Sequence, residues 1–149
     1  MNNKKIDYGK ENNINLKLDI GLSRSYRALC RSTQRLMSNY NLTMAQFGVL
    51  EVLYHLGELK ICEIIQKTLS TSGNMTVVIK NLEKEGLVSR NQSKEDTRAS
   101  IVGITQKGKE LIERIFPDHM ENIDKRLMRL NYDEKSELLR LLKKMNGVD

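Results

Sequence analysis

Met75, Val78, Ile79 and Leu82 recur at the i, i+3, i+4, i+7 spacing that lays one apolar stripe along a helix. Thr76, Val77, Lys80, Asn81 and Lys84 fall off that stripe and are expected to face outward. Gly86, after Glu83-Lys84-Glu85, predicts the stop, because a left-handed residue ends a helix most cheaply when it is glycine. The period then shortens to two. Leu87-Val88-Ser89-Arg90 alternates as a strand does, and Ala99 to Ile104 is a second short run rich in β-branched residues. Asn91 to Arg98 carries no apolar residue and predicts a charged loop. The stretch Ser70 to Ile104 is therefore expected to form a helix, a tight stop and a two-stranded ribbon with a charged tip.

The rest of the chain is organised around that stretch. Met1 to Asn13 is polar and predicts a loose arm. From about Asn15 to Tyr40, Leu18, Leu22, Tyr26, Leu29, Thr33, Leu36 and Tyr40 step by threes and fours along a long amphipathic helix, with Arg24, Arg27, Arg31 and Arg35 on another face. Thr43-Met44-Ala45-Gln46 has the form of a capping box. It opens a second helix whose Phe47, Leu50, Val52, Leu53 and Leu56 are expected in the core, ended by Gly57. Leu59 suits a one-residue strand, Ile61, Ile64, Ile65 and Leu69 mark a short third helix, and Ser70-Thr71 is the turn into the fourth. Two short helices joined by a turn and followed by a β-ribbon make a winged helix-turn-helix. Thr105 then caps a fifth helix carrying Leu111, Ile112 and Ile115, which Pro117 is expected to kink or break. The pattern resumes through Ile123, Leu127 and Leu130. Asn131 to Glu134 caps a last helix with Leu138, Leu141, Leu142 and Met145 on one side.

Composition narrows the function without naming it. A chain of 149 residues suits a single domain with its own core. The net charge of +6 favours a polyanionic partner, and the positive excess lies in the first helix and the central module, while the C-terminal part is balanced. No apolar run reaches the length of a membrane span and Met1 to Ile20 lacks the apolar core of a secretory signal, so a cytoplasmic protein is expected. Cys30 and Cys62 are too few for a disulfide scaffold, and together with His55 and His119 they form no metal-ligand spacing. Neither metal nor cofactor is expected. No nucleophile motif, phosphate loop or paired catalytic carboxylates appear, which argues against an enzyme. A winged helix used only for protein contacts is the alternative.

From Leu42 to Glu110 the residues resemble the MarR family of bacterial transcription regulators. The resemblance is carried by Leu42-Thr43-Met44-Ala45-Gln46-Phe47, by Ser72-Gly73-Asn74-Met75-Thr76 with Leu82-Glu83-Lys84-Glu85-Gly86-Leu87-Val88, and by Arg90 with Asp96-Thr97-Arg98 and Thr105-Gln106-Lys107-Gly108. Gly103 departs from the pattern, where the return strand usually holds a side chain, and is expected to loosen that strand. Ile65 and Leu69 are bulkier than the small residues common in such units. The resemblance implies a mainly α fold with a small β-wing. Residues 43–104 would be the DNA-binding module, and 15–40 with 105–149 the helices of a homodimer. Long amphipathic helices flanking a module with its own core point the same way, because their stripes need covering and a partner subunit does so most economically, a folded-back monomer being the alternative.

A helix of this size fits the major groove, where residues near its N-terminal part reach base edges. Base reading therefore falls to Thr71, Ser72, Asn74, Thr76 and Lys80, with Gly73 admitting close backbone approach and helix capping as the bland role of Thr71 and Ser72. In the wing, Arg98 suits insertion into a minor groove, Asp96 would orient it, and Lys94 and Arg90 would meet phosphate or form solvated surface pairs. A dimer implies a pseudo-palindromic operator and repression by excluding polymerase. The signal would be a small aromatic or quinone ligand or a thiol-reactive electrophile, the chain looking most like the quinone- and catechol-responsive branch. Peroxide-sensing members of the family use a cysteine near the start of the first helix. Cys30 lies too far along to match it and reads as a packed structural thiol. Cys62, at a usually exposed position, is the better sensor candidate.

Overall fold

The computed structural model describes residues 6–68, 72–92 and 100–148, and the side chains of 72–74 also lie outside that description. Its elements in chain order are α1 (Lys10–Ser38), α2 (Met44–Leu56), β1 (Leu59–Lys60), α3 (Ile61–Thr68), α4 (Ser72–Lys84), β2 (Val88–Gln92), β3 (Ser100–Ile104), α5 (Gln106–Leu127) and α6 (Tyr132–Met145). Leu69, the turn at Ser70-Thr71 and the wing tip fall outside the described residues.

α1 begins five residues earlier than its apolar stripe suggests, so the expected loose arm ends by Lys10. The cause is local and polar. The Asp7 carboxylate accepts from the Gly9 backbone N–H at 2.9 Å and from the Asn13 side chain, which ties the first turn to the residues before it. The bond from Gly9 holds the Asp7 carboxyl below its ordinary pKa, and a negative charge suits a helix N-terminus.

α2 is the hub. α1, α3, α4, α5 and β3 all pack on it, so more than one of its faces is buried, and Phe47, Val49, Leu50 and Leu53 are all in the core. Val49 was not on the expected stripe. Leu56, expected in the core, is instead exposed, because the helix ends there and the chain turns away at Gly57 with φ 80. The capping box forms as predicted: the Thr43 hydroxyl accepts from the Gln46 N–H at 3.1 Å, and the Gln46 side chain accepts from the Thr43 N–H at 2.9 Å. α3 buries Ile64 and half-buries Ile61 and Ile65, so the bulk of Ile65 is absorbed at the edge of the core.

The stop after α4 is a Schellman motif. Gly86 adopts φ 69, its N–H donates to the Glu83 carbonyl at 2.9 Å, and the Leu87 N–H donates to the Leu82 carbonyl at 2.9 Å. Leu82 and Leu87, the apolar pair that accompanies this motif, are both buried. β2 extends through Asn91 and Gln92, two residues farther than the alternating run predicted, because these residues pair with Ile101 and Ser100 of β3. β1 adds to the other side of β3, Leu59 facing Val102, so the wing root is a three-stranded antiparallel sheet in the order β1-β3-β2. Gly103 does not loosen it. The ladder is continuous through Gly103 opposite Ser89, and the Glu58 side chain occupies the space a Cβ would take.

Thr105 joins the three parts of the module. Its hydroxyl accepts from the Gly108 N–H at 3.1 Å and donates to the Gly86 carbonyl at 2.7 Å, while its backbone N–H donates to the Leu87 carbonyl at 3.1 Å. One side chain thus caps α5 and pins the α4 stop. Thr105→Ala is expected to lower the unfolding free energy by about 1–2 kcal/mol, the usual magnitude for a lost N-cap, with Thr105→Ser retaining most of it. Urea denaturation of the two variants tests this, and equal losses in both would be inconsistent with a hydroxyl role.

α5 runs continuously through Pro117, so of the kink or break expected there the break does not occur. Ile112 and Ile115 before the proline and His119 after it are all buried, so packing on both sides offsets the missing backbone bond. α1 is fastened to α5 by a bond between Ser32 and Asn122, and the turn after α1 by Tyr40, whose hydroxyl donates to Asp118 at 2.7 Å. The Asp118 bond pushes the Tyr40 phenol above its ordinary pKa. α6 opens with a second capping box between Asn131 and Glu134 and buries none of its residues. Among the described residues no helix is long and apolar enough to cross a membrane.

Candidate nucleic-acid interface

α4 presents two faces set by its period. Met75, Val78, Ile79 and Leu82 are buried, and Thr76, Val77, Lys80, Asn81 and Lys84 are exposed, as the spacing predicted. Lys80 and Lys84 lie three and seven positions beyond Val77, which places all three on one side of the helix, opposite the buried stripe. Two lysines and a threonine give that side the positive charge and the hydroxyl donor that a groove of DNA recognises. Ser72, Gly73 and Asn74 form the first turn of α4 by backbone. Thr71, Lys94, Asp96 and Arg98 lie outside the described residues.

Arg90 projects from β2 towards α4, where its guanidinium lies 3.5 Å from the Glu83 carboxylate, both side chains being about one third exposed. That is the solvated surface pair weighed against a phosphate contact in the sequence. An exposed pair of this kind contributes about 0–1 kcal/mol, so a phosphate could compete for Arg90 at little loss. The pair also ties the root of the wing to the helix beside it.

A cavity of about 450 Å³ opens where α1 meets the α2–α4 module, with Tyr26, Phe47, Glu51, Lys67, Met75 and His119 among its walls. His119 is buried, its ring 4.9 Å from Phe47 and 6.0 Å from Phe116. Its Nε2 is 3.8 Å from a Glu51 carboxylate oxygen, and its Nδ1 is buried with no hydrogen-bond partner among the described residues. The sequence offered no sign of this cavity, since its walls come from five separate elements. Cys30 is half-buried rather than fully packed, and the Tyr26 phenol one turn away is pushed above its ordinary pKa by hydrogen bonding to that thiol. Cys62 is exposed. Among the described residues no cluster of His, Cys, Asp or Glu is arranged to hold a metal ion.

The outer helices leave a large apolar surface uncovered. In the N-terminal half of α1, Ile14, Leu18 and Leu22 are exposed on one side and Leu16 and Ile20 on the other. On α6, Leu138, Leu139, Leu141 and Met145 are exposed as well. Apolar side chains exposed in this number along two outer helices suit an interaction surface.

A three-stranded wing rooted on a helix pair, with the second helix turning a basic, hydroxyl-bearing face to solvent, defines a winged helix-turn-helix DNA-binding protein. The sequence profile described as Transcriptional regulator SarA/Rot matches residues 31–115. The HTH-type transcriptional regulator MhqR of Bacillus subtilis is 37% identical over 130 residues, covering 87% of this chain and 90% of that one. MgrA of Staphylococcus aureus, another HTH-type transcriptional regulator, is 28% identical over 91% of both chains. The chain belongs to the SarA/Rot and MarR type of winged-helix transcriptional regulators. Its relatives named here are regulators of transcription. A structure concerning the regulation of DNA binding of Bordetella bronchiseptica BpsR by 6-hydroxynicotinic acid superposes with a TM-score of 0.79 at 25% identity, covering 87% of this chain and 98% of that one. A mutant MarR from E. coli complexed with operator DNA shares the fold with a TM-score of 0.80 at 22% identity, over 92% of this chain and 99% of that one.

Proposed function

We propose that this regulator is a cytoplasmic homodimeric repressor that binds a pseudo-palindromic operator and is released by a small aromatic or quinone ligand or by a thiol-reactive electrophile. The observation that carries the DNA-binding half is α4, with Met75, Val78, Ile79 and Leu82 buried on one side and a basic, exposed side opposite. In this proposal residues 43–104 form the DNA-binding module. Thr71, Ser72, Asn74, Thr76 and Lys80 read base edges, and Gly73 lets the backbone approach the groove. Arg98, oriented by Asp96, enters the adjacent minor groove, where narrowing concentrates negative potential. Lys94 contacts backbone phosphate, and Arg90 does so by sharing or leaving Glu83.

The helices of 15–40 and 105–149 join two copies, burying the exposed leucines of α1 and α6. They hold two α4 helices about one turn of DNA apart, and the paired half-sites give the operator its symmetry. The cavity between α1 and the module is the proposed ligand seat. A molecule there favours one placement of the module against the dimer helices, and it lowers operator affinity to the extent that it prefers the non-binding spacing. Cys30, beside Tyr26 of the same cavity, and the exposed Cys62 are the candidate sensor thiols. Comparison with BpsR, whose DNA binding is regulated by 6-hydroxynicotinic acid, supports a small aromatic ligand.

Footprinting of the DNA upstream of the chain's own gene, with and without benzoquinone, methylhydroquinone or peroxide, tests operator and signal together. Arg98→Ala is expected to weaken operator binding by more than about tenfold, while light scattering still finds a dimer. Unchanged binding in that variant would overturn the wing assignment. Absence of any footprint would leave the winged helix as a protein-contact module.

A further inference from the structure

The geometry points to Val77 as a reader of a thymine methyl group in the operator half-site. This rests on the DNA-binding reading of α4 above and specifies what one residue of that face recognises.

Val77 is one of five apolar residues on α4. The other four, Met75, Val78, Ile79 and Leu82, are at most 6% exposed, whereas Val77 is 55% exposed. An isolated apolar residue on a protein surface is ordinary. The position of this one is not neutral. At 100° per residue it lies nearly diametrically opposite the buried stripe, with Thr76 beside it and Lys80 one turn on, all exposed. Packing among the described residues therefore leaves more than half of Val77 uncovered, and a β-branched residue slightly disfavours the helix it sits in.

The surface facing that side of α4 decides what such a residue can do. In the major groove each base pair shows a distinct set of hydrogen-bond donors and acceptors, and only thymine adds an apolar group, its C5-methyl. Thr76 and Lys80 can satisfy polar edges or phosphates. Val77, with no polar atom in its side chain, can discriminate only by apolar contact, and a cytosine, guanine or adenine edge presented to it would lose its water without gaining a bond. The short, stiff valine side chain keeps its two methyls close to the helix. A thymine methyl, which projects into the groove from the base edge, is the complementary shape.

The test separates this inference from the reading it rests on. A duplex is first selected by the full chain from a randomised library. Each thymine of that duplex is then replaced singly by deoxyuridine, which removes the methyl and leaves the hydrogen-bonding edge intact. Wild-type binding is expected to fall about fourfold at one thymine per half-site, the loss for one buried methyl-sized group. Val77→Ala is expected to lose a similar factor on the unmodified duplex and to be indifferent to deoxyuridine at that same thymine. Because Val77 is exposed and alanine favours helix, the variant should fold as the parent does, which circular dichroism checks. A selected duplex with no methyl-sensitive thymine, or one whose sensitivity persists in Val77→Ala, overturns the inference and leaves the DNA-binding function standing. Failure to select any sequence overturns both.

Discussion

Gly108→Ala is expected to lower the unfolding free energy by about 2–3 kcal/mol, an overpacking loss large for a single methyl. A Cβ at Gly108 would lie 2.2 Å from the Leu87 carbonyl oxygen and 2.7 Å from Ile104 Cγ1. The carbonyl cannot move aside freely, because it already accepts the Thr105 N–H at 3.1 Å, and Leu87 is itself held by the Schellman bond to Leu82. Alanine within a helix would ordinarily gain about 1 kcal/mol over glycine, so the observed sign decides which effect wins. Gly103→Ala supplies the control. There the obstacle is the Glu58 side chain, with Oε1 at 2.9 Å and Cγ at 3.1 Å, and because that side chain is exposed and flexible the loss at Gly103, though itself buried, should stay within about 1 kcal/mol. Urea midpoints of the two variants test the pair. Equal effects would mean that the α5 start is looser against the wing root than its hydrogen bonds indicate.

The second large effect concerns assembly. Leu18 and Leu141 are 57% and 47% exposed in the single chain, so a charge at either position leaves the internal core untouched. In a dimer that buries both, two glutamates would be desolvated without partners, which is strongly unfavourable. The double variant Leu18→Glu with Leu141→Glu is therefore expected to sediment as a monomer and to remain folded. Its affinity for a two-half-site operator should fall about 100-fold or more, because linkage of two modules no longer makes the second contact intramolecular. A variant that stays dimeric would place the subunit interface elsewhere. A monomer that binds the operator undiminished would remove the need for two copies.

The faces of α4, its glycine stop and the capping boxes at Thr43 and Asn131 were legible in the sequence because each depends on residues within about one turn of one another. The candidate DNA-reading positions followed from that same period, as did the exposure of Thr76 and Lys80. The exposed valine at their centre was equally legible as a position, but its meaning was not. Its 55% exposure beside four buried apolar residues of α4 is what the folded chain added.

The remaining features depend on contacts between distant residues. Whether Pro117 breaks α5 turned on the packing of Ile112, Ile115 and His119, and local propensity carries no information about that packing. The early start of α1 came from Asp7, a polar fastening that an apolar stripe does not record. Arg90 found Glu83 across the gap between strand and helix, and the cavity beside buried His119 arose where five elements meet. The sequence by itself determined which side of each helix is apolar and where most helices begin and end, because those follow from the repeat of the backbone and from capping within a turn. Tertiary structure alone decided which apolar faces are already covered, leaving the N-terminal half of α1 and one side of α6 exposed, because burial is a property of neighbours that the chain brings together only when it folds.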